Sequence, residues 1–462
     1  MKPTSKVIRM VARLSAAVES GLLRPGARVA SVREAALEQG VSKNTVTEAY
    51  DRLVASGHLE ARRGAGYFVA AQSVRQPPAR SEVVEALGLV SLLREQTEGH
   101  YVVRPGEGRP PPSWMEESEL ARHVARTARA QHRGETHGYG SSWGYGPLRE
   151  QVALALTERS IDCSAGQVLL TQGANHALDL VIRHLVAPGD RVFVDDPGYY
   201  PLFAKLRLAR AEVVGIRRTM EGPDLEDLRS KLEGGRPRAF FTQSLAHNPT
   251  GGTLIPSVAH GVLQEAEAHG FQIVEDDPFA DLLPPSSPRL ASLDGLRRVL
   301  YVGTFSKTLS ASLRVGYVAA AAPVARALDD LKLITVVSTS QFTERLVAGL
   351  IRDGHYLRHL RRLRQRVEAA TAQALQDLAS VGLPIAPPPC RGFYLWAALP
   401  PGLEEEALCR EAARRGIFLA PGSVFSPEKA GGPPALRLNV AHASDPAFLS
   451  FLAEALAGPA RG

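Results

Sequence analysis

The sequence predicts two folded units in one chain: a small winged helix-turn-helix at the N-terminus, then a large α/β unit that ends in a smaller α+β lobe. Three observations carry that expectation. The chain has 462 residues, more than one ordinary hydrophobic core accommodates. Residues 1–75 hold 12 basic and 6 acidic side chains, so the whole formal charge of +6 falls there, and the other 42 basic and 42 acidic side chains cancel. Beyond residue 165, seven short apolar runs of β character alternate with helical stretches, the pattern of a mainly parallel sheet covered on both faces. With 44% hydrophobic and 22% charged residues the chain is neither a disordered tail nor a fibre. A basic module on a neutral body points to a polyanion-binding end and a small-molecule or assembly end.

Taken in order, residues 6–20 place Val7, Met10, Val11, Leu14 and Val18 at helical spacing, and Arg24-Pro25-Gly26 ends that element. Ser31 with Glu34 three residues on is a capping box that starts a second helix, and Gly40 stops it. Ser42 caps a third helix with Val46, Ala49, Tyr50 and Leu53 on its buried side. The stretch HLEARRGAGYFVA at 58–70 reads as strand, basic Gly-rich tip and strand, a hairpin that completes the winged motif over residues 1–70. Residues 71–96 open with AQSVRQPPAR, a linker composition. The body then occupies 97–462, with strands at 168–170, 191–196, 211–216, 238–243, 271–276, 299–303 and 315–320. A lobe starting near residue 350 contains GFYLWAAL, GIFLAPG and LRLNVA.

Several classes are excluded. Three cysteines, Cys163, Cys390 and Cys409, give neither a disulfide framework nor a zinc ribbon and suit a reducing cytoplasm. No apolar run is long enough to span a bilayer and no secretion signal is legible, so no membrane partner is expected. No dedicated metal site is expected either.

In a helix-turn-helix the second helix enters the major groove, so Ser42, Lys43, Asn44, Thr45 and Thr47 at its start are placed to meet bases. Arg33, Arg62 and Arg63 are placed to meet phosphates or a minor groove. The stretch SGLLRPGARVASVREAALEQGVSKNTVTEAYDRLVASGHLEARRGAGYFV resembles the GntR family of winged helix regulators. The resemblance implies DNA contact by Arg33, the Ser42–Thr47 segment and the wing tip Arg63-Gly64.

In the body, GTFSKTLSASLRVGY at 303–317 puts a lysine just after a buried strand, where an amine can be desolvated and react with an aldehyde. Thr304, Ser306 and Arg314 supply two hydroxyls and a forked cation, groups suited to a phosphate dianion. This combination resembles the pyridoxal phosphate site of fold type I aminotransferases, with Lys307 as the Schiff-base lysine. That resemblance extends to TQGANHALDL, where Gly173, Ala174 and Asn175 would cradle the phosphate at a helix N-terminus. In DDPGYYP, Tyr199 matches the ring that stacks on the cofactor, with Tyr200 beside it. In HNPTG, Asn248 matches the donor to the phenolic oxygen, and Asp276 of VEDDPFADL matches the carboxylate that pairs with the ring nitrogen. Tyr139 matches a tyrosine that reaches the phosphate of a neighbouring subunit. Arg437 in LRLNV matches the arginine that clamps a substrate α-carboxylate.

One position departs from the enzymes: Phe279 stands where they usually carry a tyrosine that bonds the cofactor's phenolic oxygen. A GntR-like head on an aminotransferase-like body resembles the MocR subfamily of bacterial regulators. That resemblance implies a head-to-tail homodimer that binds operator DNA, uses pyridoxal phosphate as a sensory group and responds to an amino acid, an amine or the cofactor itself. The rival expectations are a working aminotransferase of an α-amino acid, and a structural DNA-binding dimer with a decayed cofactor site.

Overall fold

The computed structural model describes residues 7, 10–11, 14–15, 17, 23, 26–55, 58–62, 65–70, 93–94, 98–115, 118–131, 138–386, 392–428 and 432–457. It divides into two compact units, Met1–Ala79 and Arg80–Gly462.

In the N-terminal unit, helix α1 (Val32–Gln39) begins at the expected capping box: Glu34 N donates to Ser31 Oγ, and Ser31 N donates to the Glu34 carboxylate at 2.9 Å. Gly40 closes it at φ 62°, a left-handed position that glycine adopts without a Cβ penalty. Helix α2 (Lys43–Ala55) starts where Ser42 Oγ accepts from Thr45 N at 3.2 Å. Strands β1 (Leu59–Arg62) and β2 (Gly66–Val69) form the antiparallel hairpin. Val46, Tyr50, Leu53, Leu59 and Val69 close a small core, onto which Met10, Val11 and Leu14 pack from the 6–20 segment. The Tyr50 hydroxyl, donating to Ala30 O at 2.8 Å, ties α2 to the chain before α1.

The large unit opens with α3 (Ser118–Gln131) and α4 (Gly146–Glu158). There follow β3 (Val168–Thr171), α5 (Ala174–Leu185), β4 (Arg191–Asp196), α6 (Tyr200–Leu208), β5 (Glu212–Thr219) and β6 (Gly222–Pro223). Next come α7 (Leu225–Glu233), β7 (Ala239–Thr242), α8 (Pro256–His269), β8 (Gln272–Asp277), α9 (Leu290–Asp294), β9 (Val299–Thr304) and β10 (Gly316–Ala319). They form one sheet in the order β3-β10-β9-β8-β7-β4-β5-β6. The pairings from β9 through β8, β7 and β4 to β5 are parallel, whereas β10 runs antiparallel to both its neighbours. All seven expected strands are present; the eighth, β6, is a two-residue edge pair on β5 that no apolar run announces.

Every residue of β3, β7, β9 and β10 is buried, because helices cover both faces, and this is why the runs read as continuous rather than alternating. Alternate residues serve opposite cores: Phe193, Phe240, Ile273 and Tyr301 on one face, Val194, Phe241, Val274 and Val302 on the other. Helices α10 (Ala322–Val336), α11 (Gln341–Arg352) and α12 (His355–Ser380) lead into the C-terminal lobe. There β11 (Tyr394–Ala398), α13 (Glu405–Arg414), β12 (Ala420–Pro421), β13 (Ala435–Asn439) and α14 (Pro446–Ala457) surround an antiparallel sheet ordered β11-β13-β12. Among the described residues no helix is long and apolar enough to cross a membrane.

Candidate cofactor and effector site

The carboxyl ends of the parallel strands open on a cavity of about 400 Å³, where ligands of open α/β sheets bind. Lys307, Asp276, Asn248, Thr304, Ser306, Arg314, Ala174, Asn175, Tyr199 and Arg437, named from the sequence, all line it, as does Phe279.

The acids at the end of β8 show how a strand sorts function from structure. Glu275 and Asp277 share one face: Glu275 accepts from Ser244 Oγ and from the first amides of α9, and Asp277 accepts from Arg289 Nε and the Tyr301 hydroxyl at 2.8 Å each. Asp276, on the opposite face, is turned to the cavity. Gln243 Nε2 donates to its Oδ2 at 2.8 Å, while the buried Oδ1 has no hydrogen-bond partner among the described residues. Burial above all, opposed by the Gln243 bond and reinforced by the Asp277 charge, pushes the Asp276 carboxyl up to about 7.

Lys307 follows β9 and donates from Nζ to Gly108 O. Burial first, then the Arg437 guanidinium, brings its amine down to about 8, which makes the neutral, nucleophilic form accessible near neutrality. Thr304 Oγ1 accepts from Ser306 N at 3.2 Å, and Arg314 donates from Nη1 to Ser306 Oγ at 3.2 Å and from Nη2 to Gln172 O at 3.0 Å. Gly173, before α5, has φ 78°; a Cβ there would sit 2.7 Å from Arg314 Nη2, and one on Gly316 would sit 2.7 Å from the Gly173 backbone. The amides of Ala174 and Asn175 at the start of α5, which have no partner among the described residues, two hydroxyls and a guanidinium thus converge where only glycines leave room.

Arg437, on β13, is 1% exposed. It donates to Asn248 Oδ1 at 3.2 Å and to Gly106 O at 2.7 Å, and its guanidinium lies 4.8 Å from the Tyr394 ring centroid and 4.9 Å from that of Phe425. Its buried Nε has no hydrogen-bond partner among the described residues. Tyr199 precedes α6 beside the cavity, its hydroxyl pushed up by burial and then by the Asp276 charge; Tyr200 also touches the cavity but packs its ring edge-on against Phe425 at 5.5 Å.

Tyr139 does not line this cavity and is 86% exposed. Phe279 is fully buried and packs against Phe393 and Tyr394 at 5.7 and 5.6 Å between ring centroids. The sequence reading missed Gln243, Gly108, Arg109 and Tyr394. Gln243 was legible as the polar end of an apolar strand. The Tyr394 hydroxyl, donating to Gly108 O at 2.9 Å beside Lys307, depends on a pairing between distant segments that no local pattern reveals.

Three possible metal ligands do meet elsewhere, His123, Asp353 and His355, with ligand atoms within 4.8 Å of one another. Guanidiniums occupy two of them: Arg126 and Arg352 on Asp353, Arg122 and Arg358 on His355. This is a poor environment for a further cation.

On the N-terminal unit, Arg33, Ser42, Lys43, Asn44 and Thr47 are exposed and Thr45 is half-buried. Ser42 and Thr45 share a hydroxyl contact of 2.9 Å, and Thr47 bonds back to Lys43 O at 3.0 Å. Arg62 lies over Phe68 at 4.5 Å. Arg63 and Gly64 lie outside the described residues.

Residues 99–455 match the family model of aminotransferase class I and II, and residues 7–69 match that of bacterial regulatory proteins of the gntR family. The probable rhizopine catabolism regulatory protein MocR of Rhizobium meliloti is 30% identical, over 88% of this chain and 85% of its own. The chain belongs to the MocR subfamily of GntR-type regulators. The HTH-type transcriptional regulator TauR of Rhodobacter capsulatus is likewise 30% identical, over 88% of this chain and 86% of its own. Among solved structures, the alpha-aminoadipate aminotransferase LysN of Thermus thermophilus, crystallised with N-(5'-phosphopyridoxyl)-L-leucine, superimposes with TM-score 0.73 at 29% identity, covering 81% of this chain and 97% of that one. This MocR-type protein is therefore a pyridoxal phosphate-dependent, DNA-binding transcriptional regulator with a fold type I body. Its cavity fits that cofactor: an unpaired carboxylate oxygen for a ring N–H, a glycine-walled anion cradle, and an amine with a lowered pKa.

Proposed function

We propose that this regulator senses a small amine-bearing effector, an α-amino acid above all, at Lys307, and that occupancy of this one cavity sets the DNA affinity of the head. The observation that carries the reading is the convergence of Lys307, the unpaired oxygen of Asp276 and the buried Arg437 on one cavity in a chain that also carries a winged helix. Pyridoxal phosphate, when bound, supplies an aldehyde that exchanges one amine for another.

The chain's own residues do the rest. Gly173, Ala174, Asn175, Thr304, Ser306 and Arg314 hold the phosphate; Tyr199 covers the ring; Asp276 holds the ring-nitrogen proton; Asn248 holds the phenolic oxygen. Arg437 takes the effector's α-carboxylate as a forked pair, and its unpartnered Nε supports that role. Tyr139 projects outward from a braced segment: Ser142 Oγ donates to Asp329 at 3.0 Å, and Tyr145 N donates to Glu344 at 2.8 Å. That placement suits a reach into the cradle of a second copy in a head-to-tail homodimer. DNA contact falls to residues 1–70, through Arg33, Ser42, Lys43, Asn44, Thr45, Thr47, Arg63 and Gly64, with 71–96 as linker and 97–462 as the sensing body.

A catalytic aminotransferase is the competing reading. Phe279 speaks against it, since its buried ring offers no hydroxyl where the enzymes carry one.

Lys307→Ala separates the two. A ligand moves an equilibrium only through its differential affinity for the two states. The variant is expected to occupy its operator in a footprint yet give no change on adding the effector that shifts the wild-type footprint. Wild-type turnover of amino donor and keto acid at about 1 per second or more, with no effector-dependent footprint, would overturn the regulator reading.

A further inference from the structure

The cavity holds a third guanidinium, beyond Arg314 of the phosphate cradle and Arg437 of the α-carboxylate clamp. Arg109 lines the cavity with its side chain 40% exposed, in contrast to the fully enclosed Arg437. One scaffold fixes both. Arg437 and Asn439 are two residues apart on β13 and share a face, at a spacing of about 7 Å. Arg437 Nη2 holds Gly106 O at 2.7 Å, and Asn439 Nδ2 holds Glu107 O at 2.9 Å and Arg109 O at 2.8 Å. Gly106 lies so close to β12 that a Cβ would come within 2.5 Å of Ala420 N. The segment that carries Arg109 is thus stitched to the strand that carries Arg437.

Arg109 is also free to change partner. It donates to Glu107 from Nε at 3.1 Å and from Nη2 at 3.4 Å, and Nη1 has no partner among the described residues. Glu107 does not depend on it, because Arg104 donates to Oε2 from Nε at 3.0 Å and from Nη2 at 2.9 Å, and Gly108 N donates to Oε1 at 3.0 Å. Two arginines facing one carboxylate leave an excess positive charge beside the cavity. A neutral side chain gains nothing from that charge and a basic one is repelled by it.

We propose that Arg109 receives a second anionic group on the effector, so that the ligand of this cavity is an α-amino acid whose side chain ends in a carboxylate or similar oxyanion, with its α-carboxylate on Arg437. This rests on the amino-acid effector reading above and narrows it.

The test uses the full chain loaded with pyridoxal phosphate. Two pairs of nearly isosteric ligands, glutamate with glutamine and aspartate with asparagine, are titrated by calorimetry and by the visible band of the bound cofactor. The better acidic ligand is expected to bind about tenfold or more tightly than its own amide, the scale of one charge-assisted pair. Arg109→Gln should bring that ratio to about one, and Arg109→Lys, which keeps the charge without the fork, should restore part of it. Equal affinity for acid and amide in the wild type, or an acid preference that survives Arg109→Gln, overturns the assignment of Arg109 while leaving the amino-acid reading intact. If no α-amino acid of either kind binds or perturbs the band, both fall together.

Discussion

Asp276 and Lys307 are each held in an environment that disfavours their charge, and that makes the site a source of pH dependence. For Asp276 the carboxyl rises from 3.8 to about 7 on folding, so between those values the folded state binds more protons than the unfolded one. Stability of the cofactor-free protein therefore falls as pH rises through that window, by up to about 1.4 kcal/mol per pH unit for a single group. Glu275, raised from 4.5 to about 7 by burial, adds a slope of the same sign. Lys307 works oppositely and higher: its amine drops from 10.5 to about 8, so its contribution rises as pH climbs from about 8. Asp276→Asn removes a buried charge without changing shape. The cofactor-free variant is expected to melt above wild type at pH 8 and to show a shallower loss between pH 5 and 7. Its affinity for pyridoxal phosphate should drop about tenfold or more, the scale of a charge-assisted hydrogen bond. Melting curves across pH and a cofactor titration check both halves, and a variant less stable than wild type at pH 8 would show that Asp276 braces the fold.

Among the elements, α5 and the turn before it show how backbone geometry makes a binding site. Gly173 sits at φ 78°, ψ 170°, a region essentially reserved for glycine, and its missing Cβ is the space that Arg314 Nη2 crosses. Gly173→Ala is expected to cost about 1–3 kcal/mol of stability from the backbone alone. It should also displace Arg314, so that affinity for pyridoxal phosphate falls further than affinity for pyridoxal, which lacks the phosphate. Equal losses for the two would place the damage outside the cradle. Much at this scale was legible in the sequence. Ser31 with Glu34, Ser42, Gly40 and the hairpin residues are local signals that the structure repeats. The strands of the body were visible because double coverage forces unbroken apolar runs. The loop that carries Gly106, Gly108 and Arg109 was not, since its place follows from bonds to Arg437, Asn439, Lys307 and Tyr394, some 200 to 330 residues away. Nor was β6, two residues long and defined only by its pairing to β5.

For the whole molecule, the division of charge decides how DNA is bound. All +6 formal charges belong to residues 1–75, and the exposed cations there include Arg33 and Lys43, whose side chains make no internal hydrogen bond or ion pair among the described residues. Each phosphate that such a cation neutralises releases condensed counterions, so log affinity should fall by about 0.9 per unit of log salt for every contact. Not all polar groups at the start of α2 are equally available: Ser42 and Thr45 engage each other and Thr47 bonds back to the helix, whereas the exposed side chains of Lys43 and Asn44 make no hydrogen bond among the described residues. Lys43→Ala in the full chain is therefore expected to weaken operator binding and to reduce the salt slope by about one. Asn44→Ala carries no charge change, so it should leave the slope unaltered while lowering the preference for operator over random DNA, by about 1–3 kcal/mol if the amide reads a base edge. Gel-shift titrations on both DNAs at several salt concentrations separate the two outcomes. A salt slope unchanged by Lys43→Ala would place the positive footprint elsewhere on the head, whereas a slope that changed equally in both variants would show that neither residue acts alone in its contact.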